Sequence, residues 1–189
     1  MDRPGRAVLP LLDGVASMSL VKLRSGFEWL LEVITMFLVV SLTVVVLLGV
    51  TFRFAGNSLA WYDEVAAVML AWVTYYGAAL AALKRAHISV PGFVYSQARA
   101  VRMVLVVLGE AITITFFVLL AIYGVYVISV LSGSTLVSVP IPTAVTQSTI
   151  PIGAALFVIA ELLNLPDILR EAWDGRKPPS EQDIVEEMQ

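Results

Sequence analysis

Between Arg102 and Arg170 the chain carries no lysine or arginine, and only Glu110, Glu161 and Asp167 bear charge there. Apolar runs fill that interval, and two more precede it. The twelve basic residues gather in short stretches between and outside the runs. Hydrocarbon accepts such runs and rejects such stretches, so the pattern specifies a polytopic membrane protein and sets its orientation. Composition agrees. The chain is 59% hydrophobic and 14% charged, with a mean hydropathy of +0.87, whereas a soluble domain has about 25% charged residues. One soluble core built from 189 residues has no room to bury that much apolar surface.

A helix needs roughly 20 apolar residues to cross about 30 Å of hydrocarbon. Four segments qualify, at about 29–52, 62–83, 101–131 and 146–165, and together they make residues 29–165 the transmembrane domain. The first and third are rich in Val, Ile and Thr, which in water favours strands. In lipid every backbone group must be satisfied within the segment, so length overrides propensity. The strict alternation over about 10 residues that marks barrel strands is absent. The expected fold is all-α, a bundle of four transmembrane helices.

All the basic residues except Arg53 fall on one side of this layout. Arg3, Arg6, Lys22 and Arg24 precede the first span. Lys84, Arg85, Arg99 and Arg102 lie between the second and third, and Arg170, Arg176 and Lys177 follow the fourth. That side is expected to be cytoplasmic, with both termini inside. Residues 1–28 then form a cytoplasmic tail, within which 7–24 either make a helix on the inner surface (Leu11, Leu12, Val15, Met18) or remain a partly ordered tail. Residues 166–189 form a second tail that ends in an acidic stretch. Pro10, Asp13 and Gly14 interrupt the first apolar stretch, which does not read as a signal peptide.

Several function classes drop out. The chain has no cysteine, which removes disulfides, thiolate metal sites, thiol redox chemistry and quinone-linked disulfide oxidases. One histidine, His87, is too few to hold a haem between two imidazoles or to build a zinc site. A net charge of −3 gives no basis for nucleic-acid binding. No nucleophile–base set and no phosphate loop can be assembled, so neither an enzyme nor a cofactor is expected.

The residues that remain lie at the helix ends. Trp61, Tyr62, Asp63 and Glu64 open the second span at the outer interface. Aromatic rings belong at headgroup depth, and the acids complement a helix N-terminus. Glu64 shares a helix face with Val68, Trp72, Tyr75 and Ala79. It therefore serves either as an interface anchor or as a polar contact to a partner helix. Ala67 and Ala71, Gly77 and Ala81, and Ala78 and Ala82 place small residues at a spacing that lets helices approach closely, within the bundle or across subunits. Glu110 and Glu161 are the buried-acid candidates, toward the inner ends of their spans. Structural pairing or interfacial solvation competes there with ion coupling and with a partner salt bridge. Asn57, Ser58 and Tyr62 are candidates for an exposed outer docking surface, together with the uncharged third loop, 132–146.

Taken together, Trp61-x-Asp63-Glu64, Trp72, Gly77-Ala78-Ala79, His87-Ile88-x-Val90 and the Ile150-Pro151-Ile152-Gly153 entry to the last span resemble the DctQ-type small membrane subunit of tripartite ATP-independent periplasmic (TRAP) transporters. The resemblance covers roughly residues 25–170, and the segment from Trp61 to Val90 is its most specific part. Ala67 stands where the family often has an arginine, and Pro91 where an acidic residue often follows the His-Ile-x-Val run. The resemblance implies a scaffold that braces a large DctM-type membrane subunit during sodium-coupled uptake. An organic acid would be delivered by a DctP-type periplasmic binding protein, across a bacterial inner membrane. It also implies a partner interface at Trp61, Asp63, Glu64, Trp72, Gly77 and His87. Two other readings compete. A small multidrug-type exporter would place an essential acid well inside the first span, but Glu32 sits at that span's inner edge. A membrane assembly protein would bind no transporter subunit stoichiometrically.

Overall fold

The computed structural model describes residues 9–85, 91–131 and 133–175, with side chains from residue 22 onward apart from those of 91 and 92. The described residues form six helices: α1 (Leu9–Phe54), α2 (Tyr62–Leu83), α3 (Pro91–Tyr95), α4 (Arg99–Val130), α5 (Thr143–Gln147) and α6 (Thr149–Asp174). Four stretches are long and apolar enough to cross a membrane: Lys22–Phe54, Tyr62–Leu83, Arg99–Val130 and Thr143–Asp174. The fold is all-α and multi-pass.

Two boundaries differ from the sequence expectation. Residues 9–24 are helical, but they run without a break into the first span, so α1 is one helix of 46 residues, about 69 Å long. Pro10 falls in its first turn, where a missing N–H costs nothing. At the other end, the fourth span does not give way to a tail at Leu165. Helix α6 passes through Pro166 and ends at Asp174, with Gly175 in the left-handed conformation as its cap. A proline usually ends a helix. Here the turns beyond it are tied to other helices, through Glu171 and through the carbonyls of Ala172 and Trp173.

The long helices do not close into a four-cornered bundle. The extensive interfaces are α1 with α2, α2 with α6, and α6 with α4. The helices therefore stand in a row, with α1 and α4 at its two ends. A thin core runs along this row. Leu31 of α1, Ala79, Ala82 and Leu83 of α2, and Phe157 and Ala160 of α6 are buried together. Phe117 of α4 extends the core by stacking on Phe157 at 3.8 Å between ring centroids. Alanine dominates because helices in lipid gain by close backbone approach rather than by hydrophobic burial. At Gly153 the approach leaves no room for a side chain: an added Cβ would stand 2.5 Å from Cβ of Tyr75. A row leaves its flanks open. Trp29, Met36 and Phe37 of α1 and Val104, Ile112 and Tyr126 of α4 are each more than half exposed.

Candidate functional site

At one end of the helices, α2 begins at Tyr62 and carries Glu64 on its first turn. Between α4 and α5 the chain folds back on itself. Leu136 N–H donates to Ile141 O at 3.0 Å and Thr143 N–H to Ser134 O at 2.9 Å. The tip of this loop is clasped by Glu64, whose Oε1 accepts from Val137 N–H at 2.9 Å and whose Oε2 accepts from Ser138 N–H at 2.7 Å. Both carboxylate oxygens are thus occupied within the chain. Sequence reasoning weighed an anchor against a partner contact at Glu64. The geometry adds a third role, as the clasp of the loop between α4 and α5, whose tip residue Val137 is 97% exposed.

The other residues at this end separate into two groups. Asn57, Ser58, Trp61 and Asp63 are exposed, as a docking surface requires. Tyr62 is not part of that surface. It is only 9% exposed, and its ring lies against α1 where Gly49 leaves space for it. The outward position expected of it fails because an aromatic ring opposite a glycine gains more by packing than by facing water.

Farther along α2, Trp72 stacks on Tyr76 at 5.5 Å between centroids. Gly77 has open space where a side chain would be. It is therefore not a close-packing position within the chain, and the glycines that serve that purpose are Gly49, Gly124 and Gly153. His87 lies outside the described residues.

The opposite end is held by the basic residues that set the charge bias. The last carbonyls of a helix have no partner within it, and here side chains from other helices supply one. Asn164 of α6, fully buried, donates Nδ2 to Ala82 O at 2.8 Å and to Leu83 O at 3.2 Å. Arg24 of α1 reaches Leu83 O at 3.3 Å and Asp167 at 3.4 Å. At the end of α6, Arg102 of α4 donates Nε to Ala172 O at 2.6 Å, and Arg99 of α4 donates Nε to Trp173 O at 3.0 Å with its guanidinium over the Trp173 ring. Cations at helix C-termini also complement the helix dipole.

Ion pairs complete the belt. Arg85 makes a two-pronged contact with Glu171, both bonds at 2.7 Å. Lys84 bridges Glu32 and Glu28 of α1. The Glu32 contact raises the Lys84 pKa above its usual 10.5. A raised lysine pKa makes this tie fully present at neutral pH and weakens it only as the pH climbs through the folded value. An open cleft of about 380 Å³ sits among Arg24, Arg85, Asp167, Arg170, Glu171 and Asp174.

Glu110 and Glu161 lie on facing helices, α4 and α6, toward this end. Arg102 is the basic residue nearest to Glu110 in sequence. It is engaged with the end of α6, and one Glu110 oxygen, Oε2, is buried without a hydrogen bond. Among the described residues no group of three His, Cys, Asp or Glu is placed to hold a metal ion.

The arrangement is therefore two fastened ends joined by apolar helices with open flanks. The family of tripartite ATP-independent periplasmic transporters, DctQ component, matches residues 42–171, well over half of the chain. The chain belongs to this family. As a DctQ component it is a part of a transporter, and the family is not an enzyme family. No curated protein matches the chain significantly.

The residues that fasten the DctQ fold were only partly visible in the sequence. Asn164 passed unnoticed, though an amide inside an apolar span is a usable signal, because a buried polar side chain requires a partner. Arg24, Arg85, Arg99 and Arg102 were visible as topology markers. Their contacts with helix ends depend on which helices become neighbours.

Proposed function

We propose that this chain is the small scaffold subunit of a TRAP-type secondary transporter in a bacterial inner membrane, with its basic end in the cytoplasm. It braces a large DctM-type subunit while that subunit moves an organic acid, delivered by a DctP-type binding protein, with sodium. The observation that carries this reading is the open row of helices in a DctQ family member. A closed bundle covers itself, whereas a row with exposed flanks has faces left for another membrane protein. Support also comes from the inner belt, where side-chain contacts join α1 to α2, α1 to α6, α2 to α6 and α4 to α6. A brace must resist deformation, and each tie fixes one helix end against another.

Uptake tests the proposal. Vesicles would contain the large subunit with or without this chain, and would be supplied with binding protein, candidate acids and an inward sodium gradient. Uptake is expected only when this chain is present. Equal uptake without it would refute the bracing role.

A further inference from the structure

Among the described residues, two acids within the spans have no matching contact. Glu110 of α4 and Glu161 of α6 lie near enough that the charge of one acts on the other. Neither has a hydrogen bond or ion pair among the described residues, and Oε2 of Glu110 is buried with no partner at all. The cation whose charge reaches both is Arg85, but its guanidinium is committed to both oxygens of Glu171. Arg102, on the same helix as Glu110, is committed to Ala172 O. Glu110 lies about 12 Å farther along α4 than Arg102, beyond the belt in which Glu28, Glu32, Asp167 and Glu171 find their cations. Both acids are partly exposed, so they are not sealed between helices and a neighbouring helix can reach them.

A carboxylate facing hydrocarbon is costly, and such residues are neutralised by a partner or by a proton. From this we infer that Glu110 and Glu161 mark the membrane face of α4 and α6 on which a partner transmembrane helix docks through a lysine or arginine. The inference rests on the scaffold reading and deepens it, since the occupant is the large membrane subunit. Apolar contact alone leaves two membrane helices free to slide and rotate. A cation set against two acids fixes depth and register, because every other alignment leaves charges unmatched in lipid. The acids would then specify alignment, and the apolar flanks would supply area.

An apolar carbodiimide tests this. It adds to a membrane carboxyl that carries a proton and spares a carboxylate paired with a cation. The chain purified alone is expected to be labelled at Glu110 or Glu161, as read by peptide mass spectrometry. The same residues are expected to be protected in the native complex. Equal labelling in both would overturn the inference while leaving the scaffold reading intact. Recovery of no polytopic partner with the wild-type chain would instead remove the scaffold reading, and the inference with it.

Variants give a second readout. The doubly substituted chain (Glu110→Gln, Glu161→Gln) is expected to insert normally and to recover about tenfold less partner, the equivalent of about 1.4 kcal/mol. The charge-preserving pair Glu110→Asp and Glu161→Asp should restore much of the loss. Undiminished recovery with both glutamines would also overturn the inference.

Discussion

At Gly153 the backbone of α6 meets the side chain of Tyr75 with no room for a methyl group. Gly153→Ala is expected to destabilise the isolated chain by about 1–3 kcal/mol, the usual cost of overpacking, as measured by reversible unfolding in detergent. Gly77→Ala meets nothing and should leave stability unchanged or raise it by up to about 1 kcal/mol, because alanine is the better helix former. Equal effects at the two glycines would contradict the packing described here. Glu64 offers another residue-scale test. Glu64→Gln keeps one acceptor oxygen but turns an N–H toward the other loop amide. Hydrogen exchange at Val137 and Ser138 should then speed up, with exchange at the core residues Ala79 and Ala160 unaffected. Unaltered loop exchange would mean that the loop holds its shape without the clasp.

Among the elements, the α2–α6 interface is where a polar residue contributes most. Asn164 is fully buried and caps α2. Asn164→Leu leaves the carbonyls of Ala82 and Leu83 without its amide, and the expected loss is on the order of 1 kcal/mol in the same unfolding assay. No loss would show that Arg24 or water caps α2 equally well. The four spans were legible in the sequence because their lengths and charge gaps are properties of each segment alone. The ends of α1 and α6 were not. Pro166 reads locally as a stop, and the turns of α6 beyond it are tied by Arg85, Arg99 and Arg102, which are distant in sequence. The candidate site divides the same way. Asn57 and Ser58 are exposed, as loop residues between spans should be. Tyr62 turned inward because it faces Gly49, a neighbour that only the α1–α2 register reveals.

For the whole molecule, the row of helices and the belt at one end define a subunit with two distinct ends and uncovered flanks. Orientation can be tested directly, because the chain has no native cysteine. A cysteine at Ser134 should react with an impermeant thiol reagent added outside intact cells, and one at Ser96 should not. The reverse pattern would invert the topology. A scaffold role requires above all that another membrane protein cover the flanks. The most direct measurement is gentle-detergent purification of the tagged chain from its native cells, with mass spectrometry of what accompanies it. A large polytopic partner at near-equal stoichiometry is the predicted result. Recovery of the chain alone or as a homo-oligomer, under conditions that preserve other membrane complexes, would contradict the account.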